Sequence, residues 1–219
     1  MSVPSGEDDA GVVPLEEALI INDPAERRRL MLSMLTEEPD AYLAQLQAAK
    51  LNDDVEVAHY AATAVVQISK ESDLKLQQLE RAFKTDPSAQ NLNEYCDFLG
   101  EYLGSGLAEG RVAQIQRQQY ARLLARRCER EDTLELRIRY ATALADVGQI
   151  DEAQAVTDQL VLDVPEEQEV WMLCLRLAVM RRDGDEVHRV IDAIDKQHVY
   201  LSAANREELA FWRNGEEAR

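Results

Sequence analysis

The chain has 219 residues, 46% hydrophobic and 30% charged, with a formal net charge of −18 from 42 Asp+Glu and 24 Lys+Arg. This is a globular composition able to bury a core, and its charge argues against an unsteered polyanion, nucleic acid or anionic membrane, as partner. Aromatics are 5% and there are only nine Gly and six Pro, so strong helix formers dominate and an all-β fold is disfavoured.

Three cysteines, Cys96, Cys128 and Cys174, are far apart and odd in number, which speaks against a disulfide framework and for a reducing cytosol. The first residues are acidic and lack an apolar stretch, so no secretory signal is expected, and no run of about 18 apolar residues is present to span a bilayer. The charge is uneven. Residues 1–60 carry net −9, residues 61–130 net +1 and residues 131–219 net −10.

Residues 1–13 read as a disordered arm or linker. From Pro14 the pattern is helix after helix, and residues 14–130 are expected to form HEAT/TPR-like hairpins. A spacing of 30 aligns Asn22-Asp23 with Asn52-Asp53, Glu26 with Glu56 and Leu30 with Tyr60. Each Asp can cap a helix, and Pro24 suits a first helical position. Pro39 opens a helix with Tyr42, Leu43, Leu46 and Ala49 on one face. Val55, Tyr60, Ala61, Ala64, Val65 and Ile68 form one apolar stripe, and Leu74, Leu76, Leu79 and Phe83 the next. After Asp86-Pro87 come Leu92, Tyr95, Phe98, Leu99, Tyr102 and Leu103 at helical spacing, stopped by Gly104-Ser105-Gly106. A long helix is expected from about Arg111 to Arg130.

Residues 131–219 resemble tetratricopeptide repeats at a spacing of 34, followed by a capping helix. Ala141, Leu144, Gly148, Ala153 and Pro165 mark one copy. Trp171 stands near the start of the second, and Asp185-Glu186-Val187 follows Asp151-Glu152-Ala153 by 34 residues. Small residues let paired helices approach, Gly permits a left-handed turn, and Pro starts the next unit. Thr157 stands where an aromatic is usual and Leu175 where a small residue is usual, so the second unit could pack more loosely. Ser202 to Arg213 reads as the cap. The whole is expected to be an all-α, right-handed α-α superhelix, one continuous solenoid.

No motif carries catalytic chemistry. His59, His188 and His198 are scattered without metal-ligand spacing, and no phosphate-binding glycine loop follows a strand. Carboxylate pairs sit at helix starts or on solvent faces. The reading is therefore a protein that is not an enzyme, with no cofactor and no metal. Cys174 and Trp171 read as core, while Trp212 is balanced between core and partner anchor. The basic helix from Arg111 to Arg130 is out of character for this chain. Arg122, Arg126 and Arg130, four apart, share a face. That face is either an internal or solvated seam or a docking strip for an acidic segment. Arg137, Arg139, Arg176 and Arg181 fall on the first helices of the back hairpins, which in solenoids line the groove. Partner-binding candidates are thus Arg122, Arg126, Arg130, Arg139, Arg176 and Trp212.

The stretches Pro14 to Asp23 and Asn52 to Ala61, with Tyr102 to Leu107, resemble the PelE family of Pel-type exopolysaccharide synthesis and secretion systems, over most of the chain from Pro14. The resemblance implies the cytoplasmic repeat domain of a membrane protein, at the cytoplasmic face of the inner or plasma membrane. Its hydrophobic anchor would be a segment absent from this chain. It also implies docking of a glycosyltransferase and of a membrane-bound cyclic-di-GMP receptor, and it brings no catalytic residues. The alternative is a general peptide-binding tetratricopeptide adaptor whose groove grips one partner tail.

Overall fold

The computed structural model describes residues 43–214. The arm at 1–13 and the first copy of the 30-residue repeat, Asn22-Asp23 to Leu30, lie outside the described residues. Within them the structure is all-helical and no strand occurs: α1 (Leu43–Ala49), α2 (Val55–Thr85), α3 (Ala89–Gly104), α4 (Gly110–Cys128), α5 (Leu134–Asp146), α6 (Ile150–Asp163), α7 (Gln168–Arg181), α8 (Gly184–Gln197) and α9 (Ala203–Asn214). Among the described residues no helix is long and apolar enough to cross a membrane. Packing divides the chain into two compact units, 1–78 and 79–219, with the boundary inside α2.

In the first unit, Asp54 rather than Asp53 starts α2. Its carboxylate accepts from the Glu56 N–H at 3.0 Å, and Asn52 in turn accepts from the Asp54 N–H at 2.9 Å. The two stripes expected between Val55 and Phe83 belong to one helix of 31 residues. Its buried seam runs through Val57, Ala61, Ala64, Ile68 and Leu76, while Val55 is 80% and Leu74 57% exposed. Val57, not Val55, keeps the alternating steps of four and three that hold a seam on one side of a 3.6-residue helix.

The second unit is a run of hairpins. Each helix from α3 to α9 packs on the next, and α5 also touches α7. The 34-residue period is visible in the backbone. Helices α5 and α7 start 34 residues apart, as do α6 and α8. Gly148 (φ 77) and Arg182 (φ 57) both take the left-handed conformation just past a helix end, again 34 apart. The same pair of bonds closes each turn: Gln149 N–H to Leu144 O and Gly148 N–H to Ala145 O, then Asp183 N–H to Ala178 O and Arg182 N–H to Val179 O. His198 (φ 54) repeats the turn after α8. Helix starts are capped by Ser88, Thr133, Asp183 and Ser202 side chains.

Two apolar clusters fill the back hairpins, and α7 lies between them. Val170, Leu173 and Leu177 pack with Ala141, Leu144, Ala153 and Leu160. Trp171, Cys174, Leu175 and Ala178 pack with Val187, Val190, Ile191, Ile194 and the α9 residue Leu209. A helix buried on opposite sides has little amphipathicity, as expected for the middle element of a stack. Leu175 is fully buried. The small-residue position has thus become a core contact. Thr157 is also fully buried and satisfies its hydroxyl on the Ala153 carbonyl at 2.8 Å. The Trp171 indole N–H donates to the Pro165 carbonyl at 2.7 Å, which ties the start of α7 to the preceding turn.

Candidate functional site

Helix α4 presents different chemistry on its two sides. Ala113, Ala121, Leu123, Leu124 and Arg127 are buried. Arg127, not one of the three arginines singled out from spacing, is the inward one. Its guanidinium donates to Asp97 on α3 at 2.6 Å. Arg139 on α5 reaches the same Asp97 oxygen at 3.1 Å, and it also donates to the Tyr120 hydroxyl from Nε at 3.1 Å and Nη2 at 2.8 Å. Gly100 makes room for this knot, since a Cβ there would lie 2.8 Å from the Tyr120 oxygen.

Burial pushes the Cys96 thiol and the Tyr120 phenol upward, against the opposing pull of Arg127 and Arg139 respectively. Burial alone would lower the Arg127 and Arg139 pKa values. Bonds to Asp97 and Cys96 outweigh this for Arg127, and bonds to Tyr120 and Asp97 for Arg139, so both guanidiniums are held charged. Two cations share one carboxylate, and Glu131 and Glu135, 3.9 Å from Arg127 and Arg139 respectively, complete the compensation of their charge.

The candidates named from sequence are not gathered into one place. Arg139 is spent in the knot. Arg176 pairs with Asp146 at 2.5 Å on the surface. Arg130 lies past the end of α4, which stops at Cys128, and donates to the Pro87 carbonyl at 3.3 Å. It therefore does not continue the helical face of Arg122 and Arg126. Arg126 stacks over the Phe83 ring, 5.7 Å from its centroid. Trp212 is half-buried on the last apolar cluster, edge-on to Phe211, which is 68% exposed. Of the others, Arg137 meets Asp163 at 2.6 Å and Arg181 meets Asp151 at 2.9 Å.

Arg122 differs from all of these. It is exposed and lines a groove of about 430 Å³ with Ala121, Ala125, Tyr140, Leu144 and Glu152. A second hollow of about 280 Å³ has Gly100, Gly104, Arg117, Tyr120 and Asp146 among its walls. Spacing missed Asp97, Gly100 and Arg127. A lone Asp and a lone Gly inside a helical pattern carry no signal until the third helix places Arg139 beside them.

Among the described residues, no group of three or more His, Cys, Asp or Glu is arranged to hold a metal ion. No family model matches the chain, and neither a curated protein nor a solved structure matches it.

Proposed function

We propose that the protein is a non-catalytic interaction scaffold: a row of helical hairpins that holds partner proteins on its outer surfaces. The observation that supports this most is the 34-residue recurrence of helix starts and left-handed turns at Gly148 and Arg182. In such an array each hairpin buries its apolar side on its neighbours, and the remaining faces are left for docking.

The finer reading rests on the resemblance of the Pro14 to Asp23 and Asn52 to Ala61 stretches to the PelE family. On that reading the array sits at the cytoplasmic face of a membrane and docks the glycosyltransferase and the cyclic-di-GMP receptor of a Pel-type synthase. The test is co-purification of the tagged chain with each of those two proteins, co-expressed one at a time. Stable recovery of either supports the reading. Recovery of neither, from a chain that is folded by circular dichroism, removes the Pel assignment.

The peptide-adaptor alternative draws on Arg139 and Arg176, and both are already occupied by Asp97, Tyr120 and Asp146. A carboxylate tail would have to displace those partners, so the outer-surface reading is preferred.

A further inference from the structure

We infer that the outward face of α4 and the groove beside it form a docking site for an acidic amphipathic helical segment of a partner protein; this deepens the scaffold reading and rests on it. Helix α4 contains five arginines and no Asp or Glu, in a chain of net charge −18. Arg111, Ile115, Gln118 and Arg122 recur at steps of four, three and four, which places them on one side of the helix. That side is opposite the buried Ala113, Leu124 and Arg127. Ile115 is 56% exposed there, and the equally exposed Val112 borders it, so the face is apolar as well as basic.

Charge complementarity identifies the occupant. In this unit Arg137, Arg139, Arg176, Arg181 and Arg189 each meet a carboxylate. Arg111 and Arg122 are exposed and have no partner among the described residues. An acidic side chain arriving from outside would supply the forked bonds these guanidiniums lack.

The groove adds the apolar half of the recognition. Its walls include Tyr140, Leu144 and Val147, and Glu152 stands across from Arg122. Glu152 repels a uniformly acidic strand, whereas an amphipathic helix can turn its apolar edge into the groove and its carboxylates toward Arg111 and Arg122. A nucleic acid is the disfavoured polyanion, because phosphates have no use for Val112 and Ile115 and the net charge opposes it.

The test uses the whole chain and fluorescence anisotropy with a labelled helical peptide of 19 residues, the length of α4. The peptide carries Leu at helical spacing with Glu on the flanks. Controls are a scramble of the same composition, a version with Lys for Glu, and a single-stranded oligonucleotide. The Glu peptide should bind, and the scramble and the Lys peptide should bind at least about tenfold more weakly. The double variant Arg111→Glu/Arg122→Glu, at two exposed positions that leave the core untouched, should lose at least about tenfold. Ile115→Ser, which changes no charge, should weaken binding as well.

Absence of binding by the Glu peptide, equal binding by the scramble, indifference to the double variant, or preferential binding of the oligonucleotide each overturns the proposal. So does concentration-dependent dimerisation that the double variant abolishes, since the face would then serve a second copy. The Pel assignment is tested separately. If the double variant loses the peptide yet still co-purifies with a synthase protein, docking of that protein uses another surface. If the native chain binds the peptide but recovers no synthase protein, the site stands and the Pel assignment falls.

Discussion

Two junctions in the unit 79–219 are held by opposite means. Where α3, α4 and α5 meet, a polar knot of Asp97, Arg127, Arg139 and Tyr120 ties the helices. From α5 to α9 an apolar spine does so, and the charged pairs Arg176–Asp146 and Arg181–Asp151 lie on its outside. Apolar contacts are non-directional, so the spine can accept Leu175 or Thr157 at positions that usually hold other residues. A hydrogen-bonded knot is directional, and each member needs its own partner in place. The back hairpins are thus interchangeable in kind, whereas the front one is individual. The front hairpin is also the one whose second helix keeps unpaired arginines on its outer side.

The sharpest way to test this contrast is to open each junction. In the spine, Leu175→Ala removes a fully buried side chain shared between α7 and its neighbours. It should lower unfolding free energy by about 3–4 kcal/mol in urea titration, the usual range for a rigid core. In the knot, Asp97→Ala strands Arg127, whose side chain is only 10% exposed. Removing one partner of a buried pair is strongly destabilising, but Asp97 is itself half-exposed, so the expected loss is about 2–3 kcal/mol. A loss as small as that of a surface pair would show that the knot is incidental.

Glycine substitutions give a finer measure. Gly100→Ala places a Cβ against the Tyr120 oxygen and should destabilise by about 1 kcal/mol despite the gain in helix propensity. In a Tyr120→Phe background that penalty should shrink. Gly104→Ala, where a Cβ meets nothing within 4 Å, should instead stabilise by about 0.5 kcal/mol.

Arg176→Ala, on the surface of the spine, should change stability by less than about 0.5 kcal/mol. The smallest effect is at Asp163, whose carboxyl is held below its usual range by hydrogen bonds from Arg137 and Gln159. A lowered folded pKa gives stability that is present above the ordinary carboxylate pKa and lost as pH falls through the lowered one. Asp163→Asn should therefore slightly flatten the acid limb of a stability–pH curve.

The helical fold and its 34-residue period were legible because periodicity and punctuation both act locally. Leu92, Tyr95 and Leu99 are buried as their spacing predicts, and Gly104 and Gly148 fall where helices stop. Phase was less legible. Val55 and Val57 are equally apolar, and only the seam continued through Ala61, Ala64 and Ile68 decides between them. The site was the least legible part. Steps of four identified Arg122 and Arg126 as one face but carried the pattern to Arg130, beyond the helix end. They passed over Arg127, because which arginine turns inward depends on Asp97, thirty residues away in another helix. Arg139 and Arg176 were expected to be open to a ligand. Their carboxylate partners sit 42 and 30 residues upstream, distances at which sequence spacing holds no information about contact.

The left-handed turn at Gly148 recurs at Arg182 and His198, where the same geometry is imposed on residues with a side chain. Such positions disfavour L-residues by roughly 1 kcal/mol each, so the closing hairpins carry strain that the first does not. The far end of the row is consequently where breathing should begin, with α8 and α9 exchanging amide protons sooner than α5 and α6, and the array would loosen from its carboxyl-terminal tip inward.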